Sequence, residues 1–325
     1  MAIRTLGSRQ ILGRYFATAT AALLLVCGCG GVSTGSDKKF ASHSAVQVGE
    51  KAPTFSMPEI PPMVVGVEER RGYLVEHYWD GFDFSAEGMI NSDEVRGGAV
   101  AGFVQLLGMC DTLTVQKGVE VALGLSLKFG YASFEKLCST FEDYLFNPNS
   151  PMRDEEMYIY VLRYVVEAAS LEDVYKLRSR RQLEMVLKNR VGEFSNDFKF
   201  ITCQGVESSL YAVNSEYTIL FFNTPDCEDC KRVKRYIEDS KALNYKVGSG
   251  VLKIIAVYPE SDYELWRGAD YPSLMINATD KEGVLRSEAL YDLKALPTLY
   301  LLSKDKRVIL KDVSIEQVVS RISPE

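Results

Sequence analysis

The sequence predicts an all-α domain followed by an α/β/α domain, and three observations carry that prediction. Apolar residues recur at helical spacing from about 67 to 191. After Gly192 the period changes, and short apolar runs alternate with turn residues. One such run, Tyr217–Phe222, leads directly into Cys227-Glu228-Asp229-Cys230, and a helix-like run over 231–243 leads out. A chain of 325 residues is long enough for two separate cores.

The N-terminus carries targeting information. Arg4, Arg9 and Arg14 precede an apolar stretch over 15–26 that is too short to span a bilayer comfortably. Val26-Cys27-Gly28-Cys29 follows; a small residue just before a Cys resembles the bacterial lipobox, with Cys29 as the lipidated residue. Cys27 fits less well because Val26 precedes it, and the alternative is an ordinary secretory signal with incidental cysteines. Either way the mature chain lies outside the cytoplasm. The expectation is a signal peptide over 1–28 and a flexible tether over 29–62, rich in Gly, Ser and Lys and stiffened by Pro53, Pro58, Pro61 and Pro62.

A helical domain is expected over 63–192. Tyr73, Leu74, His77 and Tyr78 form a first stripe behind Glu68-Glu69, ended by Asp80-Gly81. Ser92 caps a second helix carrying Val95, Val100, Phe103, Leu106 and Leu107. Further helices are expected over 113–128 and 134–145. Ser150-Pro151, followed by Asp154-Glu155-Glu156, predicts another start. Ser170 with Asp173 opens the next, closed by Arg190-Val191-Gly192. The sum is five or six helices in a bundle.

The α/β domain is expected over 193–325. Strands are predicted at 198–202 and 209–213 around Gly205, then 217–222, 251–258, 298–302 and 307–310, with a last helix over 315–322. The stretch from 259 to 297 reads as irregular.

Composition excludes several functions. A net charge of −7 argues against nucleic acid as partner. The two histidines, His43 and His77, leave little room for His-based metal sites or Ser–His–Asp catalysis. A single Cys-x-x-Cys supplies too few ligands for zinc, and neither metal nor organic cofactor is implied. What remains is sulfur chemistry. Two cysteines separated by two residues at a strand-to-helix junction place the first thiol at a helix N-terminus, where unpaired N–H groups and the helix dipole favour the thiolate. A static disulfide is the other use of the same spacing.

The C-terminal third resembles the thioredoxin fold on three features: Cys227-Glu228-Asp229-Cys230 at its junction, Leu296-Pro297-Thr298 just before a strand, and the terminal hairpin and helix. The leading strands resemble the extension found in periplasmic, membrane-tethered thiol oxidoreductases of the TlpA type. The helical region, through Tyr78-Trp79-Asp80-Gly81-Phe82-Asp83-Phe84, resembles a domain of unknown function that precedes such domains in lipoproteins of Gram-negative bacteria. The resemblance implies that Cys227 is the attacking thiolate, that Cys230 resolves, and that the two form a redox disulfide. It also implies that Pro297, in a cis-proline loop with Leu296, holds the partner chain. This sequence departs from the family at Asp226, where an aromatic is usual, and in lacking a buried acid on the preceding strand. Asp226, Glu228 and Asp229 surround Cys227, and like charge disfavours its thiolate, which points to a reductant rather than an oxidant.

Other candidates are weighed the same way. Thr224-x-x-Cys227 resembles the peroxiredoxin motif, but Leu220 stands where that family has Pro. Cys203 reads as a small half-buried residue or a third redox partner, and Cys110 with Cys138 as core residues or a structural pair. Tyr78, Trp79, Phe82 and Phe84 read as core, His77 as structural, and Trp266 with Tyr263 and Tyr271 as packing. Lys304, Lys306, Arg307 and Lys311 read as a solvated basic edge. The function expected is a lipid-anchored, periplasm-facing thiol–disulfide oxidoreductase that reduces cysteine-containing envelope proteins with electrons from a donor protein. The alternative is a redox-inactive scaffolding lipoprotein on a degenerate thioredoxin fold.

Overall fold

A computed structural model describes residues 54–85 and 87–323. The expected signal peptide, Cys29 and most of the tether lie outside the described residues. Among the described residues no helix is long and apolar enough to cross a membrane.

Six helices come first: α1 (Val67–His77), α2 (Asp93–Leu107), α3 (Thr112–Lys128), α4 (Tyr131–Leu145), α5 (Glu155–Glu167) and α6 (Asp173–Val186). Their starts follow the caps. The Ser92 side chain accepts from Val95 N, Asp111 from Leu113 N and Thr114 N, and Asp154 from Met157 N. The expected start at Ser150-Pro151 is therefore displaced to Glu155. Ser150 instead ties a turn, donating to Tyr144 O at 2.5 Å and accepting from Met152 N at 3.2 Å. The helical core includes Tyr78, Trp79, Phe82 and Phe84, all buried as expected. Tyr78 donates to Ala99 O at 2.8 Å and lies so close to Gly102 that a Cβ there would meet its hydroxyl at 2.6 Å. His77 pairs with Asp80 at 2.8 Å on the surface.

The second half is a sheet of β1 (Lys199–Thr202), β2 (Glu207–Ser209), β3 (Tyr217–Phe222), β4 (Leu252–Tyr258), β5 (Met275–Thr279), β6 (Thr298–Ser303) and β7 (Val308–Lys311), in the order β2-β1-β5-β4-β3-β6-β7. The helices here are α7 (Glu228–Asp239), α8 (Lys241–Gly248), α9 (Tyr263–Gly268), α10 (Val284–Ser287) and α11 (Ile315–Ile322). β3 pairs in parallel with β4 and antiparallel with β6. Past Thr218 it is apolar because both its faces are covered. Ile219 and Phe221 join the layer with Cys230, Ile237, Val318 and Ile322, while Leu220 and Phe222 face Phe198, Leu285 and Tyr291.

Three expectations need correcting. β2 runs over Glu207–Ser209, earlier than 209–213, because the turn closed by Gly205 N→Thr202 O and Thr202 N→Val206 O is tight. The supposedly irregular stretch contains β5, which pairs with β4 and β1 despite its polar Asn277 and Thr279. The outgoing helix breaks at Ser240, whose side chain caps α8 through Leu243 N.

Helices and sheet belong to one compact unit, Ala52–Glu325. α6 stops at Val186 rather than Gly192 because the next residues turn to the sheet half. Lys188 Nζ donates to Ala289 O at 2.9 Å, and Asn189, at φ 52°, donates to Leu290 O at 2.8 Å. Residues 192–195 then run along β7: Gly192 N→Val308 O 2.8 Å, Val308 N→Glu193 O 2.9 Å and Ser195 N→Lys306 O 2.9 Å.

Of the hairpin cations, Lys304 and Arg307 are exposed as expected, but Lys306 and Lys311 are not part of a solvated edge. Lys306 is 3% exposed and reaches Thr218 Oγ1 at 3.2 Å. Lys311 donates to Val186 O at 3.1 Å and Lys188 O at 2.9 Å, and forms an ion pair with Glu155 at 2.9 Å. Arg153 completes this seam, bonding Glu155 at 2.5 Å and pairing with Asp312. Burial works to raise the Glu155 pKa, but Lys311 and Arg153 together hold it below the usual carboxylate range. Asp312 goes the other way, raised by burial against the pull of Arg153.

Candidate functional site

The site lies where the carboxyl end of β3 meets the start of β6. Their register pairs Phe222 with Thr298, so the loop before β6 lies beside the loop after β3. In the first loop, Cys227 N donates to Thr224 O at 3.3 Å, and Cys227 becomes the N-cap of α7. Its sulfur accepts from Cys230 N at 3.1 Å, the place an Asp or Ser oxygen takes at other helix starts. In the second loop the Leu296–Pro297 peptide is cis, as the resemblance implies. The Cys227 thiol points at Leu296 O, 3.6 Å away. The structure therefore brings Cys227, Cys230, Leu296 and Pro297 together and holds the two cysteines as free thiols.

The two thiols differ. Cys227 is half-buried at the helix end, whereas Cys230 is fully buried with Phe221 and Ile237. Burial, then the hydrogen bond and charge of Cys227, push the Cys230 thiol up to about 12, against opposing contributions from the Thr224 N–H and from Lys234. The acids around Cys227 are partly answered by cations one turn on. Glu228 pairs with Lys231 at 2.6 Å, and Asp229 pairs with Arg232.

Sequence reasoning missed the polar group beneath the dithiol. Lys234, one turn past Cys230, is only 9% exposed, and its ammonium lies 3.7 Å from the centre of the Tyr271 ring. Burial holds its pKa below the usual lysine value. Tyr271 donates to Asn223 Oδ1 at 2.8 Å, and buried Asn223 donates to Phe221 O at 3.0 Å and Val257 O at 3.3 Å. A pocket of about 580 Å³ opens here, lined by Pro225, Lys231, Lys234, Asp270, Tyr271 and Pro272 among others. The available signal was the spacing of Lys234 from Cys230, which sets both on one helix face.

The remaining candidates stay apart from the dithiol. Cys203 is exposed rather than half-buried, in the turn after β1, three strand positions from β3. Cys110 and Cys138 are unpaired thiols; Cys110 donates to Leu106 O at 3.3 Å, and burial pushes both thiols up. Trp266 is buried and donates to Asn277 Oδ1 at 2.6 Å, as packing predicts.

Comparison with known proteins agrees with this architecture. A domain of unknown function, DUF5106, matches residues 32–189. No curated protein matches the chain. Among solved structures, a thioredoxin-like protein from Bacteroides caccae is 32% identical with a TM-score of 0.78, the alignment covering 84% of this chain and 99% of that one. A conserved protein of unknown function from Bacteroides fragilis is 35% identical over 41% of this chain and 99% of its own, with a TM-score of 0.40. A domain of a possible thiol-disulfide isomerase from Cytophaga hutchinsonii is 23% identical over 42% of this chain and 92% of its own, with a TM-score of 0.36. With a helical DUF5106 region ahead of a seven-stranded mixed sheet, this chain belongs to the thioredoxin-like proteins.

Proposed function

We propose that the protein is an extracytoplasmic thiol–disulfide oxidoreductase, tethered to the membrane through Cys29 and reducing disulfides of envelope proteins. One observation carries the reading: Cys227 caps α7 with its sulfur, next to the Leu296 carbonyl, while Cys230 waits buried beneath it. The half-buried thiol is placed to attack a partner disulfide, and the partner's backbone would run along the Leu296–Pro297 loop. Cys230 would then displace the partner, leaving a Cys227–Cys230 disulfide to be reduced by a donor dithiol. The acids around Cys227 favour the reducing direction, though Lys231 and Arg232 temper them. Extracytoplasmic placement rests on the leader sequence, and the Gram-negative envelope on the resemblance of the helical region.

The test is the reduction potential of the pair together with a Cys230→Ala trap. The expected outcome is a potential near that of thioredoxin, about −270 mV, with envelope proteins captured as mixed disulfides. A dithiol that does not equilibrate with glutathione and captures nothing would overturn the assignment.

A further inference from the structure

We propose that Lys234 supplies the positive charge that lets the buried resolving thiol of Cys230 ionise, and so sets the rate of the second half of the exchange. This rests on Cys227 and Cys230 being an exchanging dithiol.

The problem is set by burial. Cys230 is 0% exposed, and a thiol must become a thiolate before it can attack. Its surroundings offer little help. β3 runs Tyr217–Phe222 beneath it and carries no ionisable side chain beyond Tyr217 at the far end. β4 contributes Tyr258, and the segment before β5 contributes Asp270 and Tyr271, none of them cationic. The loop before β6 offers Leu296 O, an acceptor that opposes a thiolate. On the dithiol helix, Lys231 is committed to Glu228 at 2.6 Å. Asp226 opposes a negative charge, and Cys227, bonded to the substrate sulfur at this step, carries none.

Lys234 is the exception. It lies one helical turn past Cys230 and on the same face. It is nine-tenths buried, held over the Tyr271 ring, and has no ion pair or hydrogen-bond acceptor among the described residues. A buried ammonium with no carboxylate in ion-pair contact is costly, Asp270 acting only at longer range, and a thiolate on Cys230 would offset that cost. The pocket beside it gives the proton a route to solvent.

The step balances. Cys230 loses its proton to solvent and its thiolate attacks Cys227 Sγ in the mixed disulfide. The Cys227–Cys230 bond forms, the bond from Cys227 to the substrate sulfur breaks, and that sulfur leaves with the electron pair as a thiolate. The dithiol is oxidised by two electrons and the substrate disulfide is reduced by two.

The experiment mixes the reduced full chain rapidly with the chromogenic disulfide of thionitrobenzoate across a range of pH, with C227A as the blank for the other thiols. Attack by Cys227 releases one chromophore and resolution by Cys230 releases the second. In Lys234→Met the second phase should slow about tenfold at neutral pH, and its pH midpoint should rise by about one unit. The first phase should change less, and Lys234→Arg should restore the wild-type profile. Lys234→Gln repeats the charge loss if Met packs badly. A second phase unchanged in K234M and K234Q, or slowed without any shift in midpoint, overturns the proposal alone. A wild type with no Cys227-dependent first phase overturns the dithiol reading and the proposal with it.

Discussion

Arg153, Glu155, Lys311 and Asp312 at the seam are largely buried charges, and so is Lys234 beside the dithiol, yet the two regions handle charge differently. At the seam each group meets an opposite charge: Glu155 touches both Arg153 and Lys311, and Arg153 also touches Asp312. Lys311 further satisfies two carbonyls at the end of α6. Beside the dithiol, Lys234 makes no ion pair; it has an aromatic face, the thiols and, at longer range, the Asp270 carboxylate. The difference teaches what each arrangement can do. Charges that compensate one another fix a geometry and leave little free to respond. A charge compensated only when a neighbour ionises is coupled to that neighbour's proton, which is useful where a proton must move.

The comparison can be broken most sharply at Glu155. Glu155→Gln leaves Lys311 without its counter-ion and Arg153 with Asp312 alone, and breaking a buried pair costs about 3 kcal/mol. Chemical denaturation should show that loss while the thiol phases above stay unchanged; a change in those phases would mean that the seam and the dithiol are not independent. Acid provides the next test. Because the Glu155 pKa is lowered on folding, its contribution is present above the ordinary carboxylate pKa and lost as pH falls through the lowered value. Asp312, raised on folding, contributes in the opposite sense, most favourably below its ordinary pKa. The wild type should therefore lose more stability on acidification than Glu155→Gln does, and parallel curves in urea melts would contradict the assignment.

A smaller effect sharpens the other side. Tyr271→Phe keeps the ring under Lys234 but removes the donor to Asn223, leaving a buried acceptor unmet at a cost of about 1 kcal/mol. The second thiol phase should keep its pH midpoint, since the charge remains. The smallest expected change is Cys203→Ser, in an exposed turn, which should shift stability by less than about 0.5 kcal/mol and leave both phases alone. A loss of turnover there would make Cys203 a third redox partner.

Most of this architecture was legible because it obeys simple periods. Tyr217–Phe222 and Ile315–Ile322 fall where hydropathy places them, and Ser92 and the dithiol announce their helix starts. Some misreadings are local, as at the β1–β2 turn and the Ser240 cap, but others share one cause: a polar residue whose partner comes from far along the chain. β5 was obscured because Asn277 serves Trp266 and Thr279 donates to Tyr258 O. Lys306 and Lys311 read as solvated because Thr218, Glu155 and the α6 carbonyls cannot be seen from their own hairpin. Lys234 went unremarked because Tyr271, the ring it sits over, lies far along the chain.

The run of residues 192–195 along β7 has a practical consequence. It occupies the hydrogen-bonding groups of Val308, where the edge strand β7 begins, and Lys306 O just before it, and Phe194 also bridges to Arg307. A fragment beginning a few residues later, at the first residue of β1, would keep the dithiol and every named strand but uncover that edge. Unprotected edges recruit other chains, so such a fragment should be prone to self-association and precipitation. The residues that close the sheet on this side thus act as its guard against aggregation, although they belong to none of its strands.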